Sequence, residues 1–162
     1  EGFKLRYFNG GGTGSLELTS IDPSVDELSL GSAFFAPLLL DYYRDFSLWP
    51  AAGFALEVTR MPEEGILTCA GGGYIASGKL SLDKIPRPFL PEGLSLVKNE
   101  MAGEVQTPLK MKDPQNLFDG PVFFRHAKAG ELCERFDQLH LIRQRKIEKI
   151  VSTYRGEGMC FL

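Results

Sequence analysis

The feature that most constrains this chain is Gly10-Gly11-Gly12-Thr13-Gly14-Ser15, set directly behind an aromatic run, Phe3-Lys4-Leu5-Arg6-Tyr7-Phe8. Bulky apolar residues bounded by a glycine cluster predict a strand over 3–8 that stops abruptly. A turn built of glycines lets successive backbone N–H groups converge on an anion, and two hydroxyls stand beside them, so a phosphate group fits. The loop is not a Walker loop, because no lysine follows in the required position, and no acidic residue stands where a dinucleotide fingerprint needs one. A nucleotide is disfavoured; the competing reading is a plain chain reversal.

Val25-Asp26-Glu27-Leu28-Ser29-Leu30 predicts a second strand, which also ends in small residues, Gly31-Ser32. Two consecutive strands ending in Gly/Ser loops match the phosphate site that TIM barrels build after strands 7 and 8. With 162 residues the chain is too short for a whole barrel, which takes about 250. It has room for the last two strands and the last helix. That helix is predicted over Phe34–Phe46, where Phe35, Leu38, Leu39, Tyr42, Tyr43 and Phe46 recur at three and four with Pro37 in the first turn. On this pattern Tyr42 and Tyr43 are helix-face core residues.

After Trp49-Pro50 the grammar changes. Strands are predicted over 54–60 and 66–69 around a turn at Pro62-Glu63-Glu64-Gly65, and further strands at 94–97, 104–108, 121–125, 139–143 and 146–153. A second glycine run, Gly71-Gly72-Gly73, suits a tight strand crossing. Ile85–Gly93 contains three prolines and reads as an extended loop, and one or two helical turns are expected within 131–137. The fold class expected is therefore α+β and β-rich: the end of a TIM-type barrel over 1–50, then a β domain over 51–162.

Charge and cysteine content narrow the function. Eighteen Lys and Arg stand against 21 Asp and Glu, for a net charge of −3, with no block of like charge, which disfavours nucleic acid as a partner. Three cysteines, Cys69, Cys133 and Cys160, are odd in number and lack any CxxC spacing, so reduced thiols in a cytoplasmic setting are expected rather than a zinc module. The longest strongly apolar run, Ala33–Leu40, falls well short of the roughly 20 residues that span a bilayer. Residue 1 is Glu and leads straight into the aromatic run, the expectation for part of a longer protein.

The chain resembles, over nearly its whole length, the C-terminal portion of fold-type III, pyridoxal-phosphate (PLP)-dependent D-threonine aldolase and D-serine dehydratase-like proteins, also described as alanine-racemase-like. The resemblance lies in the 10–15 loop, in 25–32, in the run from Gly71 to Ser77, in Phe124-Arg125-His126-Ala127-Lys128-Ala129-Gly130-Glu131, and in the ending Thr153-Tyr154-Arg155-Gly156-Glu157-Gly158. It implies a PLP-binding barrel followed by a β domain, and a homodimer in which one subunit's C-terminal domain borders the other's active site. Gly10, Gly11, Gly12, Thr13, Gly14, Gly31 and Ser32 would hold the cofactor phosphate, and His126 and Lys128 would lie on the catalytic side toward a D-amino-acid substrate. The lysine that carries the cofactor belongs to the missing N-terminal barrel part of such a protein, so the chain alone is expected to be inactive.

In the aldolase and dehydratase branches a His followed two residues later by Asp or Cys binds a divalent metal. Here His126 is kept and the second position is Lys128, whose ammonium repels a cation and would take over the electrophilic role. The metal ligands are unknown; Cys133 and His140 are the remaining candidates. Read without the family, His126 is a packing histidine beside Phe123 and Phe124, and Lys128 and Glu131 form a solvated surface pair. The alternative function is a non-catalytic β-rich binding or interaction module.

Overall fold

The computed structural model describes residues 2–115 and 119–161. Eleven short strands follow in chain order: β1 (Asn9–Gly10), β2 (Glu27–Leu28), β3 (Phe54–Leu56), β4 (Val58–Glu63), β5 (Ile66–Ala70), β6 (Arg87–Leu90), β7 (Leu94–Leu96), β8 (Gln106–Met111), β9 (Val122–Arg125), β10 (Gln138–Arg143) and β11 (Lys146–Ser152). Two short helices, α1 (Leu16–Ser20) and α2 (Ala129–Arg135), accompany them. The strands form four sheets: β1-β2, β10-β11, β3-β9-β6 and β4-β5-β8-β7. All pairs are antiparallel except β1 with β2.

The core lies where the two larger sheets meet. Leu67, Leu109 and Val122 are completely buried, and Phe54, Leu56, Cys69, Met111, Phe124 and Leu132 close around them. These residues alternate along their strands, as a half-buried antiparallel sheet requires. Phe54 stacks on Phe124 at 5.3 Å between ring centres, while Tyr74 meets Phe54 edge-on at 4.9 Å and Phe136 closes the group.

The barrel end expected over 1–50 is overturned: none of the four sheets closes, and the parallel pair joins only Asn9 to Glu27 and Gly10 to Leu28. Residues 3–7 lie outside any strand and Phe3 is 97% exposed, because pairing begins only at Phe8, whose carbonyl accepts the Asp26 and Glu27 amides. The helix predicted over 34–46 is also absent. Two 3₁₀ turns, Ser32–Phe35 and Leu38–Tyr42, replace it, split by Ala36 at φ +46° and by an extended Pro37. A residue before proline is driven out of the right-handed helical region, and proline supplies no N–H, so the periodicity of the apolar residues could not be realised as one helix. Tyr42 and Tyr43 consequently stand at the surface, 55% and 40% exposed.

The β-rich remainder follows the sequence reading closely, with one exception inside the proline-rich loop. Arg87–Leu90 pairs with β9 as an edge strand, a place where Pro88 costs no central ladder bond. The glycine run at 71–73 is a close crossing: a Cβ on Gly72 would meet Leu56 Cδ1 at 2.8 Å and also strike Thr107, and one on Gly73 would meet Glu104 N at 2.7 Å. Gly72→Ala is expected to cost about 1–3 kcal/mol, combining φ +111° with that collision. Gly158→Ala, at φ +73° with open space around it, should cost less. Urea midpoints of the two variants measure the difference, and equal losses would show that backbone strain alone acts at Gly72.

Candidate functional site

The two small-residue loops, 19 positions apart in sequence, are joined by one threonine. Thr13, buried at the start of a 3₁₀ turn, accepts hydrogen bonds from Ser32 Oγ at 3.0 Å and from the Ala33 amide at 3.1 Å. With both lone pairs of Oγ1 engaged, its own hydrogen remains available to donate. Among the described residues, the N–H groups of Gly11, Gly12 and Gly31 have no protein acceptor. A Cβ on Gly12 or Gly31 would meet nothing within 4 Å, so open space lies beside their α-carbons.

The glycines serve different ends. Only Gly11 in this loop takes a left-handed conformation, φ +90°, and a Cβ there would come within 3.2 Å of Thr19 Cγ2. A Cβ on Gly10 would lie 3.4 Å from Val25 Cγ2, whereas one on Gly14 would collide with the Tyr43 hydroxyl, which presses onto the loop there. Tyr43 then forms part of a shallow groove with Leu39, Tyr42, Leu82 and Asp83. The loop composition gave no sign of this tyrosine contact, because the two residues are brought together only by the split 3₁₀ turns.

The segment after β9 fixes the other side. The carbonyls of His126 and Ala127 accept the amides of Leu38 and Leu39 at 3.0 and 3.1 Å. Arg125 donates to both carboxylate oxygens of Asp41 at 2.6 and 2.9 Å and to the Ala36 carbonyl at 2.9 Å. Lys128 Nζ donates to the Ser77 carbonyl at 2.7 Å, and Glu131 Oε1 accepts the Ser77 amide at 3.2 Å. The solvated Lys128–Glu131 pair expected from sequence is therefore corrected: Glu131 is buried, and both side chains are turned onto Ser77. This brings the Gly71–Ser77 run beside 126–131.

His126 is fully buried, with Phe35 edge-on at 6.4 Å, and neither ring nitrogen has a hydrogen-bond partner. Phe124 is buried with it, whereas Phe123 is half exposed. A divalent metal does not fit here, since position 128 is an ammonium donor, and no group of three His, Cys, Asp or Glu gathers among the described residues. Cys133 lies on α2 while His140 is exposed on β10.

Desolvation lowers the His126 pKa to about 4, opposed by the Ala52 backbone and then reinforced by the Arg125 charge. The folded-state value is below the ordinary 6.5, so between the two the unfolded chain binds more protons. The stabilising contribution is complete above about pH 6.5 and is lost as pH falls toward 4. Urea unfolding at pH 7.5 and pH 5 should show this decline in the parent chain and a shallower one in His126→Gln; parallel slopes would assign the decline to other groups.

No protein-family model matches the chain, and no curated protein matches it by sequence. Its fold is similar to that of D-threonine aldolase from Filomicrobium marinum, with a TM-score of 0.77 at 16% identity, over 95% of this chain and 43% of that one. The chain thus has the fold of a part of that enzyme and spans less than half of its length.

Proposed function

We infer that this chain supplies the phosphate-binding part of a PLP-dependent enzyme acting on D-amino acids, of aldolase, dehydratase or racemase type. The observation that carries this reading is the Thr13 bridge, which sets two glycine loops with unpaired amides side by side. The fold likeness to a D-threonine aldolase supports it. PLP, when bound, serves as an electron sink for the α-carbon of an amino acid.

The chain's own residues would act in two groups. The Gly11, Gly12 and Gly31 amides and the Thr13 hydroxyl would donate to a phosphate held between the loops, with Ser32, whose one hydroxyl hydrogen goes to Thr13, orienting that threonine and Gly10 and Gly14 giving the loop the room it needs. Lys128 would present a fixed positive charge to the departing oxygen or the carboxylate of the substrate, held in place by Ser77. His126, neutral and enclosed, would act as a positioning residue whose carbonyl anchors Leu38. A division near residue 50, a homodimeric assembly and a D-amino-acid substrate belong to the same reading.

The test is binding rather than turnover. PLP should bind the chain more tightly than pyridoxal, which lacks the phosphate, in an equilibrium titration followed by cofactor absorbance. Thr13→Val removes a hydrogen bond to a charged group and should weaken PLP binding roughly 10- to 100-fold, from about 1.5–3 kcal/mol per bond, and Ser32→Ala, which removes the bond that orients Thr13, should weaken it by a smaller factor. Unchanged PLP affinity in both variants would remove the phosphate assignment.

A further inference from the structure

The three cysteines are free, and their surroundings divide them. Cys69 is fully buried in the core, where desolvation pushes its thiol up to about 11, so it stays inert toward reagents in water. Cys133, on α2, and Cys160 are part-exposed, and residues 153–160 draw them together. The Tyr154 hydroxyl donates to the Gly130 carbonyl at 3.1 Å and the Arg155 guanidinium donates to the Glu134 carbonyl, so two consecutive side chains grip α2 on either side of Cys133. The chain then doubles back, as the Glu157 and Met159 amides return to the Thr153 and Tyr154 carbonyls at 3.0 and 2.7 Å. Gly156 permits this close turn, because a Cβ there would collide with the Asp137 carbonyl.

Cys160 is thereby returned to Arg155, whose Nη2 donates to its sulfur at 3.9 Å. One guanidinium thus bonds both the Cys160 thiol and the carbonyl of the residue that follows Cys133. The Tyr154 hydroxyl lies within the field of both sulfurs. Burial raises its pKa above the ordinary 10, and the charges that Cys133 and Cys160 would carry raise it next, ahead of those of Glu134 and Glu131. Met159 and Phe161, on either side of Cys160, are 60% and 86% exposed, so no packing of its neighbours holds that thiol away from α2.

We propose that Cys133 and Cys160 are a thiol–disulfide exchange pair whose co-reactant is a small glutathione-type disulfide, and that the bond they form pins the 153–160 turn to α2. The Cys160 thiolate attacks one sulfur of the small disulfide, whose S–S bond breaks as one small thiolate leaves. Cys133 then gives its proton to water, attacks the Cys160 sulfur of the mixed disulfide and expels the second small thiolate. Two electrons pass from the pair to the small disulfide, which leaves as two thiols. Cys160 attacks first because the Arg155 guanidinium meets the negative charge on its sulfur, whereas burial raises the Cys133 thiol. The bond would bear on the Ser77 clamp through Glu131, which α2 also carries. None of this rests on the phosphate reading.

Thiol counting on the full chain tests it. Before treatment with oxidised glutathione the reduced native chain should show two reactive thiols and afterwards none, while in denaturant the count should fall from three to one, the survivor being Cys69. The intact mass should fall by two hydrogens, with no glutathione retained, and peptide mapping without reductant should join Cys133 to Cys160. Cys133→Ser should instead stop at a lasting glutathione adduct on Cys160, and Cys160→Ser should react more slowly than the parent. Circular dichroism verifies that both variants keep their β structure, and the parent's result stands without them. A parent that keeps its glutathione adducts, a link through Cys69, a disulfide between two chains, or two thiols that glutathione disulfide leaves untouched would each overturn the proposal.

Discussion

The contact between the Arg125 guanidinium and the 36–41 segment fixes the geometry of everything around the candidate site. Arg125 ends β9, the middle strand of its sheet, and its bidentate bond to Asp41 with a third bond to the Ala36 carbonyl locks a chain reversal that has no regular helix to hold it. Bidentate pairs of this kind fix direction as well as distance. The next two carbonyls continue the same junction by accepting the Leu38 and Leu39 amides. Ser32 and Ala33 sit only a few residues upstream of that anchor, and through Thr13 they fix the first glycine loop. The loops' separation is thus set from the core of the β-rich part rather than by the two-residue parallel pair, which is too short to hold them.

Ser77 couples the second glycine run to this frame. Its amide and carbonyl are held by Glu131 and Lys128, two side chains from one short stretch of chain, so the 71–77 crossing and the start of α2 move together. The crossing itself is rigid because Gly72 and Gly73 leave no room for a Cβ against Leu56, Thr107 and Glu104. Glu131 keeps one buried oxygen unpaired, as do the His126 nitrogens. Unmet polar groups of that kind cost stability, and they lie around the segment that the sequence marked as chemical rather than in the hydrophobic core.

How much of this was legible depended on whether local or distant contacts decided the outcome. The strands from β5 onward, except β6 in the proline-rich stretch, were readable because alternation and turn residues determine a half-buried antiparallel strand locally; 66–69, 94–97 and 146–153 lie within a residue or two of β5, β7 and β11. The 34–46 stretch misled because a 3.6-residue periodicity says nothing of Ala36, which Pro37 bars from the right-handed helical region and which stands left-handed with its carbonyl bonded to Arg125. The aromatic run at 3–8 has the composition of a strand, yet a strand needs a partner, and pairing starts at Phe8. Of the site, the two glycine loops were visible as composition, whereas their Thr13 bridge, the Tyr43 contact and the Ser77 clamp join residues that are 19, 29 and 51 or more positions apart.

The likeness in fold and the residue at position 128 bear on different questions. A fold shared with part of an aldolase carries the arrangement of strands, but function is set by the groups placed on them. A metal ligand must offer a lone pair, whereas the Lys128 ammonium offers only hydrogens, and two of its contacts are already spent on Ser77. Its charge is single, fixed by a carbonyl and immune to chelation, so it can attract an oxygen that gains negative charge without the geometry a divalent ion demands. What the structure fixes is the place of that ammonium, held on the Ser77 carbonyl and hydroxyl.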